Sequence, residues 1–390
     1  MNKIVNKDPA IIREYFIKEG YNLYNPSMTI DADIVMNFMG EDVRNRLLLS
    51  NSPDGKEICL RPDFTLPLAI SYKNNEIHEN KYVYDGYAFR FPTKNEKTRS
   101  CPEFRQIGIE NFGSEKKIET EVEIITHVYE VLSDFSGSDL KITISDVSIF
   151  YQFLNNLNLS KYLFNKIIRL YWNGLDNVEI KDAIQTLINR QFEAENQEDL
   201  IAQYKNGSLS SIRFIESLLG EENISIFSGR DPDEIVNNYL DKLESNNTSE
   251  IDQKTINQIS EFLSITGDIN SCITELSKFE DNYTLDLKNT IVELENRIKY
   301  LKDKNIPLNN IQFKTTLSRK AEYYTGLIFE INNTKTPISD PIAIGGRYDK
   351  IFEELGSTKP IPAVGCSIYV DRLLYSGKLD GWEFDYWDPK

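Results

Sequence analysis

Histidine is scarce in this sequence, with two histidines among 390 residues. Neither His78 nor His127 lies near the polar motifs described below. His127 belongs to an apolar-periodic helical run, Glu121–Leu132, which favours a structural role. Because a histidine base or a histidine-rich metal site needs such side chains at the site, we expect neither, and we expect no metal ion and no cofactor.

Long apolar runs and paired cysteines are also missing. No stretch approaches the roughly 20 consecutive apolar residues of a membrane helix, and the first residues lack the apolar core of a signal peptide. The four cysteines, Cys59, Cys101, Cys272 and Cys366, are scattered and form no CxxC pair. We therefore expect reduced structural thiols, and the sequence predicts a cytoplasmic protein without a membrane segment.

Positive charge is in deficit. Lys and Arg together number 44 against 61 Asp and Glu, which gives a net charge of −17. Nucleic acids bind proteins through clustered Lys and Arg that neutralise phosphates. An acidic chain can still carry a local basic groove, but the overall balance predicts no nucleic-acid partner.

The middle of the chain differs from both ends. Residues 1–147 and 309–390 contain short strand-like runs between helical segments, and Glu57–Leu60 and Glu103–Phe112 are the clearest of these runs. Across 148–308, glycine becomes sparse and amphipathic runs of helical length follow one another. We therefore predict an α+β core in two parts, interrupted by a mostly helical insertion.

Polar side chains occupy one face of the predicted strand Glu103–Phe112. Gln106 and Glu110 are four residues apart, so both point to the same face, whereas Ile107 and Ile109 point to the other. If this face is buried, the carboxylate and the amide need partners, and a ligand with an ammonium group would supply one. The alternative is a sheet with one solvent-facing polar side. Asp63, likewise, has an alternative role as a helix cap.

Two further segments carry polar groups of interest. The segment Arg319–Gly326 combines an arginine, whose planar fork suits a carboxylate or a phosphate, with two adjacent tyrosines. A surface arginine beside core aromatics is the alternative. The segment Gly345–Asp349 has two glycines before an arginine, and we interpret it as a tight turn because it matches neither common phosphate-binding fingerprint.

Taken together and in this order, these motifs resemble the core of histidyl-tRNA synthetase. The resemblance extends over Asp8–Ser148 and Ile311–Leu374, and its motifs are LRPDFT, EFRQIGIENFG, EYYTG, GGRYD and PAVG…DRLL. It implies an antiparallel six-stranded sheet of the class II aminoacyl-tRNA synthetase type, flanked by helices. It also implies dimerisation through the first helix and the region of Pro26.

The resemblance further implies a histidine-binding pocket. By position, the residues of that pocket are Asp63, Thr65, Gln106, Glu110, Arg319, Tyr323 and Tyr324. In synthetases, the arginines at the positions of Arg90 and Arg372 hold ATP phosphates, so here we interpret the two as remnants of a phosphate-binding site.

Several positions depart from the synthetase pattern. Pro92 stands where a glutamate is usual, and the basic loop that follows in synthetases is replaced by 93–100. Tyr369 replaces a glycine, and its ring is expected to fill the space of an adenine or a ribose. Asp63 replaces a glutamate. The sequence ends soon after Arg372, so we expect no anticodon-binding domain.

These departures make the chain more similar to the non-synthetase relatives of the family, the regulatory subunits of ATP phosphoribosyltransferase. That resemblance implies a non-catalytic subunit that activates a separate short-form catalytic subunit. It also implies that L-histidine is the effector, by which the first step of histidine biosynthesis is feedback-inhibited, and that a homodimer forms within a larger hetero-oligomer.

Two other functions stay open at this point. A stand-alone enzyme that activates an amino acid as its adenylate is favoured by Arg90 and Arg372 and opposed by Pro92 and Tyr369. A nucleic-acid-binding adaptor is supported by the synthetase resemblance alone. Pyrophosphate exchange with histidine and tRNA binding at low salt, respectively, distinguish these functions from a regulator, and we predict neither.

Overall fold

The fold is described from a computed structural model. It covers residues 8–92, 102–137, 139–172, 178–184, 198–219, 232–233, 236–237, 240, 253–317, 323–335 and 340–374. The chain divides into two compact units, one formed by Met1–Tyr151 with Ile265–Lys390 and the other by Gln152–Ser264. The candidate site lies in the first unit.

Strands and helices alternate along the first unit, and the second unit is helical where it is described. The strands are β1 Asn22–Leu23, β2 Thr29–Asp31, β3 Leu49–Asn51, β4 Glu57–Leu60, β5 Lys81–Phe89, β6 Glu103–Phe112, β7 Leu140–Asp146, β8 Thr266–Asp268, β9 Ile311–Lys314, β10 Leu327–Asn333, β11 Ala343–Arg347 and β12 Ala363–Tyr369. The helices are α1 Ala10–Lys18, α2 Ala32–Met39, α3 Thr65–Lys73, α4 Lys117–Ser136, α5 Val147–Asn155, α6 Lys161–Trp172, α7 Glu198–Lys205, α8 Ser211–Leu219, α9 Gln253–Ser264, α10 Ile269–Tyr283, α11 Lys288–Asp303, α12 Ile351–Glu354 and α13 Val370–Leu374.

The main sheet has nine strands in the order β1-β5-β6-β12-β11-β10-β7-β9-β8. Its six central strands, from β5 to β7, pair antiparallel throughout, as the resemblance implied. The sheet is larger than six strands because β1 adds in parallel to β5, and β9 and β8 extend the other edge. The fold class, an α+β antiparallel sheet flanked by helices, is confirmed.

Local sequence signals explain where several elements begin and end. The carboxylate of Asp8 accepts a hydrogen bond from the backbone N–H of Ala10, and Gly20 follows the first helix with a φ of +87°. Asp63 accepts a hydrogen bond from the backbone N–H of Leu66 at 3.2 Å, in the first turn of α3. The predicted strands Glu57–Leu60 and Glu103–Phe112 are β4 and β6 with the same bounds.

The second unit is narrower than the predicted insertion at 148–308. It comprises 152–264, and its core includes Phe214, Ile215, Val236 and Leu240. The helices α10 and α11 belong to the first unit. They do so because β8, which precedes α10, pairs with β9 in the main sheet, and because α11 packs on α4.

Candidate functional site

Strand β6 lies inside the main sheet and presents two buried polar side chains. Gln106 is 2% exposed and Glu110 is 1% exposed, and Ile107 and Ile109 on the opposite face are fully buried. The alternative of a solvent-facing polar side is therefore wrong, because both faces of β6 are covered. A buried carboxylate and a buried amide on one face need partners.

Glu110 receives hydrogen bonds at both carboxylate oxygens. The Thr65 hydroxyl donates to Oε1 at 2.7 Å, and the Tyr348 hydroxyl donates to Oε2. Burial raises the pKa of Glu110 to about 8, and the nearby Asp63 raises this pKa too, whereas the two hydroxyl donors lower it. Within the described residues, no Lys or Arg forms an ion pair with Glu110, so a ligand ammonium beside it would lower its pKa and hold it in the charged form.

Asp63 lies at the beginning of α3 and serves two purposes. Its carboxylate bonds to the Leu66 N–H, as the capping alternative predicted, and it also lines a small cavity. Residues from α2, α3 and α12 and from the Tyr323 segment line this cavity, namely Phe38, Met39, Asp63, Thr65, Leu66, Tyr323 and Ile351. Burial raises the pKa of Asp63, while the backbone N–H and the charge of Arg90 oppose that rise.

Gln106 has an unsatisfied acceptor. Its Oε1 is buried and has no hydrogen-bond partner among the described atoms. The residue faces the same side of β6 as Glu110, and its backbone pairs with Tyr369 on β12. Leaving a buried amide oxygen without a donor costs about 1–3 kcal/mol, so a ligand N–H group at this place would be stabilising.

Three tyrosines form an aromatic wall next to Glu110. The rings of Tyr323 and Tyr324 have centroids 4.8 Å apart, and the ring of Tyr348 meets them edge-on at 5.8 and 6.4 Å. The Tyr348 hydroxyl connects this wall to the Glu110 carboxylate.

Six of the seven predicted pocket residues lie among the residues that the structure describes, and Arg319 lies outside them.

The predicted turn at Gly345–Asp349 is wrong, because Gly345 and Gly346 lie inside strand β11. A Cβ at Gly346 would lie 2.7 Å from the Tyr324 ring, and a Cβ at Gly345 would lie 2.7 Å from the Phe329 ring. The glycines thus let aromatic rings lie directly on the strand. Their role is close packing.

Tyr369, at the end of β12, contacts an aromatic ring and an arginine. Its ring stacks on the Phe104 ring, with centroids 6.0 Å apart and planes 16° apart. The Arg372 guanidinium lies over the Tyr369 ring in a cation-π contact, 4.0 Å from the ring centroid. Arg372 also donates to the Pro341 carbonyl at 2.9 Å. Arg90 lies 5.6 Å from the Phe104 ring. Arg372, a predicted phosphate-binding residue, is thus engaged with protein groups.

A buried charge cluster near the site was missed by the sequence analysis. It contains Glu121, Asp146, Arg297 and Arg347, which are all at most 3% exposed. One signal was available. In α11, Arg297 lies on the same helix face as the apolar residues Ile291, Leu294, Ile298 and Leu301. A charged residue on an apolar helix face indicates a buried partner.

In the described part of the chain, no helix is long and apolar enough to cross a membrane. The same residues include no group of three or more His, Cys, Asp or Glu that could hold a metal ion.

Known proteins similar to this chain were found by sequence and by structure. Proteins from Chelativorans sp. (strain BNC1) and Brucella anthropi, both named ATP phosphoribosyltransferase regulatory subunit, are 27% and 28% identical to it. These matches cover 93% and 88% of this chain, and 95% and 89% of the relatives.

The fold matches a crystal structure described as an ATP phosphoribosyltransferase regulatory subunit/histidyl-tRNA synthetase from Bacillus halodurans C. The TM-score is 0.64 at 16% identity, over 94% of this chain and 76% of that one. The family profile described as histidyl-tRNA synthetase matches residues 9–219 and 234–373. Since this match spans most of the sequence, the chain belongs to the histidyl-tRNA synthetase family.

Proposed function

We propose that this chain is a non-catalytic regulatory subunit of ATP phosphoribosyltransferase. It activates a separate short-form catalytic subunit and binds L-histidine, which inhibits the condensation of ATP with phosphoribosyl pyrophosphate. The relatives that carry this name match nearly the whole chain, which supports the assignment.

The proposal depends most on two buried polar side chains of β6 that lack partners suited to them. Glu110 is a buried carboxylate whose described partners are hydroxyl groups, and Gln106 has a buried acceptor without a donor. The α-ammonium of histidine supplies the missing cation to Glu110, with Asp63 adding negative charge. Gln106 and Tyr324 line the imidazole or amine side, and Arg319 binds the ligand carboxylate.

Tyr369 supports a regulator over an enzyme that forms an aminoacyl-adenylate. A purine base commonly binds between an aromatic ring and a guanidinium. Here the Tyr369 ring itself contacts both Phe104 and Arg372. Because these two groups are engaged with Tyr369, the site keeps its groups for an amino acid while the groups suited to a nucleobase are taken.

Regulation also requires two states of the assembly. A ligand shifts an equilibrium only as far as its affinities for the two states differ. Histidine therefore binds more tightly to the inhibited arrangement of the complex than to the active one.

A homodimer is part of the proposal, and exposed apolar side chains support it. Ile11, Leu23, Met28 and Tyr87 are about half exposed, and α1 and β1 both contact β5. Apolar residues that gather on neighbouring elements mark interaction surfaces more often than scattered ones do. The region of Pro26 lies between Leu23 and Met28.

The proposal is tested by reconstitution with the short-form catalytic subunit of the same organism. We expect the wild-type chain to raise phosphoribosyltransferase activity and L-histidine to suppress it. The Glu110→Gln variant is expected to activate but to lose inhibition by histidine. Glu103→Gln, at the exposed beginning of the same strand, is the matched control and keeps both properties. Failure of the wild-type chain to change activity contradicts the proposal.

A further inference from the structure

The buried charge cluster is electroneutral and is organised around Glu121. Arg297 donates from Nε to Glu121 Oε2 at 2.5 Å and from Nη1 to Asp146 Oδ2 at 2.8 Å. Arg347 donates from Nε to the other oxygen of Glu121. Glu121 thus binds one arginine with each oxygen, and Arg297 also binds Asp146.

The backbone of Arg347 is connected to both segments that carry the tyrosines of the aromatic wall. Its carbonyl accepts a hydrogen bond from the Thr325 N–H at 2.8 Å, directly after Tyr323 and Tyr324. The following residue is Tyr348, whose hydroxyl bonds to Glu110. The positions of the tyrosines that face the candidate ligand therefore depend on the contacts that hold the Arg347 side chain.

A second set of contacts closes this arrangement through Asp349. Its carboxylate accepts from Arg347 Nη1 at 2.9 Å, and its backbone N–H donates to the Thr325 hydroxyl at 3.1 Å. The Arg347 side chain also lies under Gly326, with Cδ 3.5 Å from where a Cβ would be. A displacement of Arg347 is consequently transmitted to both tyrosine segments.

The far side of the cluster belongs to helices outside the pocket. Arg297 is in the middle of α11, and Asp146 is at the end of β7, where it accepts hydrogen bonds from Ser148 in the first turn of α5. Val147 donates from its N–H to the Gly326 carbonyl at 3.0 Å. Both α11 and the first turn of α5 are therefore tied to the residues that hold the pocket.

We propose that Arg347 and Arg297 are positioning residues of the ligand pocket, and that this cluster couples the pocket to helix α11. Neither arginine touches the ligand. Because the ions are buried and share Glu121, a shift of one unbalances the others, so the cluster moves as a unit. The inference rests on the proposed function insofar as the ligand is histidine, whereas the coupling between α11 and the tyrosines does not depend on the ligand.

Lysine variants test the geometry while they retain the charge. Arg297→Lys cannot bind Glu121 and Asp146 with a planar fork, and Arg347→Lys loses its simultaneous contacts with Glu121 and Asp349. Phe279→Leu is the control, because Phe279 is a buried core residue of α10 that packs on Tyr283 and takes no part in the cluster. Asp349→Asn is a second, milder variant, since its carboxylate is 40% exposed.

The measurement combines tyrosine NMR of the ligand-free chain with calorimetric titration of L-histidine. Protein labelled with ring-¹³C tyrosine is used, and Tyr324→Phe and Tyr348→Phe assign the two signals. We expect Arg297→Lys to shift both signals, although Arg297 is on helix α11 and neither tyrosine is, and to raise the Kd for histidine about five- to tenfold. Phe279→Leu is expected to leave both signals in place and the Kd within about twofold of the wild-type value.

The outcomes separate this inference from the proposed function. Unchanged Tyr324 and Tyr348 signals in folded Arg297→Lys overturn the coupling; if that variant does not fold, unchanged signals in Glu293→Gln, which weakens the Arg297 Nη2 contact on α11, overturn it. Shifted signals in a chain whose wild type binds no histidine support the coupling and contradict the proposed ligand. Shifted signals with an unchanged Kd show that the cluster moves the tyrosines without positioning the pocket, and they overturn the positioning role.

Discussion

The carboxylate of Glu110 lies directly over the Cα of Gly365 on the neighbouring strand. The two residues are paired across β6 and β12, and a Cβ on Gly365 would overlap Oε2 of Glu110. Glycine at this position therefore makes room for the buried carboxylate. The conformational freedom of glycine is not the reason, since Gly365 is not among the residues with positive φ.

Gly365→Ala is accordingly expected to displace Glu110 and to abolish histidine binding. Overpacking of this kind costs about 1–3 kcal/mol of stability. Calorimetry with L-histidine and urea unfolding measure the two effects. Gly326→Ala is the matched control, because its added Cβ would meet Arg347 at an ordinary 3.5 Å. Equal losses in both variants contradict the role assigned to Gly365.

The raised pKa of Glu110 makes stability depend on pH. A carboxyl whose pKa rises from 4.5 to about 8 on folding contributes stability below its unfolded value and loses that contribution as the pH rises towards 8. Between pH 5 and pH 8, the free energy of unfolding of the ligand-free wild type is expected to fall by a few kcal/mol relative to Glu110→Gln. Urea titrations of both proteins at several pH values measure this difference, and parallel curves argue against it.

Replacement of Tyr369 tests whether its ring prevents ATP from binding. Tyr369→Gly frees Phe104 and Arg372 from the Tyr369 ring, and a purine that stacks on such groups gains about 1–3 kcal/mol. We expect ATP binding to appear in this variant by calorimetry. Tyr369→Phe keeps the ring and is expected to bind no ATP, like the wild type. ATP binding of equal strength in all three proteins would falsify the blocking role.

The buried cluster is expected to dominate the electrostatic part of stability. Arg297→Met leaves Glu121 and Asp146 without one of their cations, and removing one partner of a buried pair costs about 3–5 kcal/mol. Arg44→Met removes an exposed two-hydrogen-bond pair with Glu57 and costs at most about 1 kcal/mol. Denaturant unfolding compares the two, and similar values would contradict the burial argument.

Part of this architecture was readable from the sequence because period-2 patterns are local. The bounds of β6 were predicted because apolar and polar residues interleave in it, and those of β4 because Pro62 lies just outside it. A strand was predicted at Tyr21–Tyr24, where β1 lies, but so short a run does not indicate its pairing partner, so the parallel edge of the sheet was not predicted.

Other features depend on tertiary contacts that no local pattern encodes. Two successive glycines usually mark a turn, but Gly345 and Gly346 are in a strand. There they leave room for the aromatic rings that lie on them. Amphipathic helices look alike whichever unit they pack on, so α11 was assigned to the insertion. The buried arginine of α11 was the sign that this helix packs on the core. The site residues were predicted as a set by resemblance, while the contacts between Glu110, Thr65 and Tyr348 required coordinates.

Calorimetric titration of the purified chain with L-histidine and, separately, with ATP tests the central claim most directly. We predict that the wild type binds histidine, that Glu110→Gln does not, and that neither protein gives a response to ATP. Equal histidine binding by wild type and Glu110→Gln, or ATP binding by the wild type, would contradict the assignment of this pocket to a histidine sensor.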